Sequence, residues 1–140
     1  MTTKSSSPPI VVALVEDDQK TRKSLAELLS GESRVRCAGI YPDGETAVRE
    51  IPLLKPEVAL VDINLPGISG IEALEILHKD PATKHIPVIA LSANAMPRDI
   101  EKGLQAGFFR YLTKPIRVTD FMETLNAALA FAEKTAVKKI

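Results

Sequence analysis

This sequence is short of charge imbalance, cysteine and long apolar runs, and each shortage removes a class of function. The 18 Lys and Arg residues balance 18 Asp and Glu, so the formal net charge is zero. A general electrostatic grip on nucleic acid or an anionic membrane needs a basic surplus, so neither partner is expected. The single cysteine, Cys37, allows no internal disulfide framework and no cysteine zinc site. It reads as a small buried hydrophobe in a chain suited to a reducing compartment. No apolar run approaches the length of about 18 residues that a membrane helix needs. The first nine residues are Thr, Ser, Lys and Pro after Met1, without the apolar centre of a signal peptide. The expected address is the cytoplasm.

What is present is an ordinary globular mix, 45% hydrophobic and 26% charged over 140 residues. That length fits one domain and can bury about two-thirds of its unfolded surface. Residues 1–9 read as a disordered tail with nothing to bury, 10–134 as the folded domain and 135–140 as a second tail. No effector module is expected after the domain. Within it, short apolar runs at 10–15, 35–40, 58–61, 86–91 and 108–112 alternate with longer amphipathic ones. The runs are mostly β-branched or continuously apolar, as strands buried on both faces should be. The longer segments, 19–30, 43–54, 69–78, 97–106 and 118–133, predict helices. The last has a clear stripe: Val118, Phe121, Met122, Leu125, Ala128, Leu129 and Ala132. Five such units predict an α/β fold, a doubly wound parallel sheet of five strands with helices on both faces.

In an open α/β sheet, chemistry belongs at the carboxyl ends of the strands. The first strand ends in Glu16-Asp17-Asp18 and the third in Asp62. The fourth ends in Ser92 and the fifth in Lys114-Pro115. The second ends in Tyr41-Pro42-Asp43-Gly44, which reads as a plain turn. Three carboxylates, a hydroxyl and an ammonium would then share one rim. A hard divalent cation is the natural remedy for crowded carboxylates, and Mg²⁺ takes such oxygen ligands while keeping waters. The lysine adds a second positive charge and the serine a neutral donor. Together they suit a phosphoryl group on a carboxylate nucleophile.

These residues, in this order, resemble the receiver domains of two-component response regulators over about residues 10–132. The features that carry the likeness are an acidic pair after the first strand and Asp62 followed by Pro66-Gly67. A hydroxyl after the fourth strand, an aromatic at 111 and Lys114-Pro115 complete the set. The spacings agree too: 45 residues from Asp17 to Asp62, 30 more to Ser92 and 22 more to Lys114. The resemblance implies a flavodoxin-like sheet of order 2-1-3-4-5 and a phosphoacceptor at Asp62. It implies Mg²⁺ held by Asp17, by Glu16 through water, by Asp62 and by the backbone carbonyl of Asn64. Ser92 would bond the arriving phosphoryl oxygen, and Lys114, aimed by a cis peptide before Pro115, would pair with it. Tyr111 would be a rotameric switch that turns inward when Ser92 moves. The implied donor is a histidine kinase or a histidine phosphotransfer protein. The output partner is unknown and would meet the face of the fourth helix, fifth strand and fifth helix. The protein is expected to be a switch or relay and not an enzyme in the usual sense.

The two halves of the likeness differ. The stretch from Asp43-Gly44-Glu45 to Pro66-Gly67 resembles stand-alone DNA-binding regulators. The stretch from Leu91-Ser92-Ala93-Asn94 to Lys114-Pro115-Ile116 resembles receivers attached to hybrid histidine kinases. Where many receivers carry two acids before the strand-five aromatic, this chain has Phe109 and Arg110. With Arg98 and Lys102 they lean that face positive, and Phe109 is either an exposed anchor or tucked under the neighbouring helix. A partner-docking face is therefore expected in place of an acid–base-paired dimer.

Blander readings compete at each position. An acid cluster before a helix is often just a cap, and Asp18 reads that way. His78 and His85 read as surface residues near a loop, too far apart for a metal pair. Lys134, Lys138 and Lys139 read as a solvated end. Three other functions are weighed. The first is a receiver fold that works as a phosphorylation-independent interaction module, against which the complete Asp17, Asp62, Ser92 and Lys114 set argues. The second is an aspartate-nucleophile phosphatase, which would need an acid two places after Asp62 where Asn64 stands. A flavin or dinucleotide binder lacks its Gly-rich loop after the first strand.

Overall fold

The computed structural model describes residues 9–94 and 96–138. Most of the expected N-terminal tail, Ala95 and the last two residues lie outside them. Ten elements alternate without exception: β1 Ile10–Val15, α1 Gln19–Ser30, β2 Val35–Tyr41, α2 Gly44–Leu54 and β3 Val58–Asp62, then α3 Gly70–Lys79, β4 Val88–Ser92, α4 Pro97–Ala106, β5 Arg110–Thr113 and α5 Val118–Lys138. All strand pairs are parallel and the order is β2-β1-β3-β4-β5. The expected doubly wound, flavodoxin-like sheet is therefore the fold observed.

The alternation of side chains along each strand builds two cores. Val12, Leu14, Val58, Leu60, Ile89, Leu91 and Leu112 point to one face, where Leu25 and Leu29 of α1 and Phe121 and Leu125 of α5 cover them. Ala13, Val15, Ala59, Val61, Val88 and Ala90 point to the other, covered by Ile51 of α2 and Leu74 and Leu77 of α3. Residues buried on both faces of the sheet explain why these runs have no polar alternation.

The helix starts are set by side chains. Asp18 caps α1, its carboxylate accepting from the Thr21 N–H and hydroxyl. Asp43 caps α2 through the Thr46 N–H at 2.7 Å. Ser69 and Glu72 form a reciprocal capping box on α3. Ser69→Ala should cost about 1 kcal/mol and lower the thermal midpoint by roughly 4 °C. Circular-dichroism melting reads this directly, and an unchanged midpoint would show that the box contributes nothing.

Three boundaries differ from expectation by two residues or more, and the others agree to within one. β4 begins at Val88 and not at residue 86, because the Ile86 N–H is taken by the Thr83 carbonyl and Pro87 has no N–H to give. β5 begins at Arg110 and not at residue 108, because the Phe108 N–H closes the end of α4 on the Gly103 carbonyl. α5 runs to Lys138 and does not stop at 133, since no Gly or Pro interrupts that stretch.

Phe109 takes the tucked alternative. It is half-buried against the first core, with its ring 5.1 Å from that of Phe131 and the Arg110 guanidinium 4.6 Å over it. His78 is not simply a surface residue: it is half-buried against Gly107, and burial pushes its pKa down. With His85 it lines one open cavity of about 500 Å³ at the amino ends of β4 and β5.

Candidate functional site

Strand register assembles the site. Val15 pairs with Val61, so the next residues, Glu16 and Asp62, emerge side by side. Leu14, Leu60 and Leu112 fill the core layer under α1 and α5. Two places further along each strand, Glu16, Asp62 and Lys114 continue that same face past the last apolar layer. The rim is thus where the sheet's buried face runs out of hydrocarbon and turns to charge.

The three side chains meet there. Lys114 Nζ donates to Glu16 Oε1 at 2.6 Å and to Asp62 Oδ2 at 2.9 Å. The other oxygens also have partners: Asp18 N–H donates to Glu16 Oε2 at 3.1 Å and Asn64 N–H to Asp62 Oδ1 at 2.9 Å. Glu16 is fully buried and Asp62 is 4% exposed, whereas Asp17 is exposed. Burial pushes the Glu16 carboxyl up, while its hydrogen bonds to Lys114 and the Asp18 N–H pull the other way and lose. Burial pulls the Lys114 ammonium down, but Glu16 and Asp62 outweigh it and the net shift is upward. Each sign follows from ionised groups held in a pocket with little water.

Glu16, Asp17 and Asp62 each bring one oxygen within 4.8 Å of the others. This donor set is all hard carboxylate oxygen, with Asp17 open to solvent, and it fits Mg²⁺ and its retained waters. Asn64 lies in the loop after β3, held to Asp62 through its N–H.

Ser92 pairs with Thr113 across the β4–β5 ladder, and its carbonyl accepts the Lys114 N–H at 2.8 Å. It is 2% exposed and its hydroxyl accepts from the Asn94 N–H. The Lys114–Pro115 peptide is cis. Tyr111 is half-buried, packed over Gly103 of α4, and its hydroxyl donates to the Asn94 carbonyl at 3.0 Å. Asn94 therefore joins Ser92 to Tyr111, a link the sequence reading passed over. Its side chain also accepts from the Met96 N–H and donates to Asp99, which fixes the turn into α4.

A second residue passed over is Glu45, in the segment read as following a plain turn. Its carboxylate accepts the Ile68 N–H at 3.0 Å, across to the loop between β3 and α3. The Asp-Gly-Glu sequence carried a cap signal at Asp43 but none that named this distant loop.

Comparison with known proteins agrees with the geometry. Residues 12–126 match the family described as the response regulator receiver domain. The polar-differentiation response regulator DivK of Brucella anthropi is 36% identical over 126 residues, which cover 89% of this chain and 99% of that one. The signal receiver domain of a modulated diguanylate cyclase from Desulfovibrio desulfuricans superposes with a TM-score of 0.80 at 26% identity, covering 91% of this chain and 98% of that one. The receiver domain of a sensor histidine kinase from Pseudomonas aeruginosa gives 0.78 at 29% identity, covering 87% and 98%. That structure has a magnesium ion coordinated in its active-site cleft.

Proposed function

Because this chain belongs to the response regulator receiver domain family of two-component signalling, we propose that it accepts a phosphoryl group on Asp62 from a phosphohistidine donor. The observation that carries the reading is the shared ammonium: Lys114 Nζ lies within hydrogen-bond distance of both Asp62 and Glu16. An Asp62 carboxylate oxygen attacks phosphorus, an O–P bond forms, the N–P bond to the donor imidazole breaks, and the ring nitrogen takes up a proton. Water later attacks the acyl phosphate, which returns the carboxylate and inorganic phosphate. The donor would be a histidine kinase or a histidine phosphotransfer protein.

Glu16, Asp17, Asp62 and the Asn64 carbonyl would hold Mg²⁺. Its chemistry there is charge neutralisation on the transferring phosphoryl oxygens. Lys114 is placed to move from Asp62 Oδ2 to a phosphoryl oxygen, and the Ser92 hydroxyl to donate to another. If Ser92 turns toward the phosphoryl group, its bond from the Asn94 N–H is lost. Tyr111 is tied to the same residue, so the rearrangement reaches the face of α4, β5 and α5. Phosphorylation then biases an equilibrium between two forms of that face, which is the output to a partner or relay.

Intact-mass measurement after incubation with a small phosphodonor tests the reading. One phosphoryl group should be gained with Mg²⁺ and almost none with chelator; no gain under either condition would overturn it. Asp17→Asn should weaken Mg²⁺ binding at least about tenfold and slow phosphorylation in step, since an exposed direct ligand is lost. Unchanged Mg²⁺ affinity in a titration followed by amide shifts would remove Asp17 from the ligand set.

A further inference from the structure

The loop 63–69 leaves β3 with the residue after Asp62 and returns to start α3 at Gly70. Its two ends are tied to each other: the Gly70 N–H donates to the Ile63 carbonyl at 2.9 Å. The Asn64 N–H donates to Asp62 itself. Backbone from here to Ser69 therefore determines where the Asn64 carbonyl and the Asp62 carboxylate stand.

The first turn of α2 grips the far side of this loop at three successive points. Gly44 is buried against Ile68, and a Cβ on it would overlap the Ile68 side chain. The Glu45 carboxylate accepts the Ile68 N–H at 3.0 Å. The same carboxylate covers Gly67, which has φ +73° and no space for a Cβ beneath it. Gly67 thus takes a left-handed turn that presents the next N–H to Glu45. The carboxylate also lies in the first turn of α2, where a negative charge is favoured by the helix dipole, so its position is stabilised from its own side as well.

We propose that Glu45 is a positioning residue for the phosphoacceptor site: it clamps the 63–69 loop from α2 and so holds the Asn64 carbonyl and Asp62 ready for Mg²⁺ and the phosphoryl group. The inference rests on the phosphoacceptor reading above for its consequence at the site, but not for the clamp itself. Glu45 touches neither metal nor phosphoryl group, and its action passes through the Ile68 N–H and the loop backbone. It also ties the α2 end of the molecule to the site, an element that strand order places on the opposite edge from β5.

Two variants separate the hydrogen bond from the charge. Glu45→Ala removes both, while Glu45→Gln keeps an acceptor oxygen and removes the charge. In Glu45→Ala, hydrogen exchange at the Ile68 amide should speed up about three- to tenfold, and Mg²⁺ affinity should fall by a similar factor. In Glu45→Gln both should stay within about twofold of wild type. Equal Ile68 exchange in all three proteins would overturn the clamp. Faster exchange in Glu45→Ala with wild-type Mg²⁺ affinity would overturn its role at the site. Equal losses of affinity in both variants would assign the effect to long-range charge and also overturn the proposal. A wild-type chain that bound no Mg²⁺ would overturn the phosphoacceptor reading, a failure the wild-type control identifies by itself.

Discussion

Asp62→Asn is expected to abolish phosphoryl uptake while leaving the fold intact. The carboxamide oxygen is a poor nucleophile, and the substitution also removes a charged oxygen from the metal-facing cluster of Glu16, Asp17 and Asp62. The shape is kept, and the amide oxygen can still accept from the Asn64 N–H, which holds Asp62 Oδ1 at 2.9 Å; the amide nitrogen then stands where Oδ2 accepts from Lys114, and that bond is lost. Lys114 retains Glu16 at 2.6 Å, so no ammonium is stranded. Loss of uptake with a native circular-dichroism spectrum and melt would assign the acceptor. Uptake at the wild-type level would move the acceptor to another carboxylate, with Asp17, exposed at the same rim, the first to examine.

What made this site legible was its place at strand ends. Glu16, Asp62 and Lys114 are charged residues at the edge of continuous apolar runs, and a parallel sheet admits few reasons for that. Their separation in sequence supports the family likeness but carries no geometry until the sheet order is assumed; the order then brings all three together. Glu45 was not legible, because its role is a single hydrogen bond to a backbone N–H 23 residues away. On its own helix it looks like any first-turn acid. Asn94 stayed hidden for a related reason: its link to Tyr111 runs through its backbone carbonyl, which every residue has. The strand starts failed where a neighbouring turn had already taken the N–H, as Gly103 takes that of Phe108. An apolar run marks what will be buried, not which end of it joins the ladder.

Gly70→Ala should produce the largest loss of stability of any single methyl added to this chain near the site. Its φ lies outside the left-handed region, so the backbone itself would accept alanine. Reduced freedom of the unfolded chain would even contribute about 0.4–1 kcal/mol in its favour. Space decides the sign. A Cβ on Gly70 would overlap the Asp62 carbonyl and the Ile63 Cα, which are main chain and cannot swing aside as a side-chain tip can. Overpacking of that kind costs about 3 kcal/mol, so the net loss is about 2 kcal/mol, or a midpoint lower by roughly 8 °C. The atoms that must yield are main chain of the phosphoacceptor and its neighbour; a displacement near 1 Å carried to the Asp62 carboxylate should slow phosphorylation about a hundredfold. Gly31 supplies the control: it also lies at a negative φ, but its Cβ would meet only the Glu27 and Leu28 carbonyls at 3.5 and 3.6 Å. Gly31→Ala should therefore melt at or slightly above the wild-type temperature and phosphorylate normally. If both variants melted alike, the close approach of α3 to the end of β3 would not be what places Asp62.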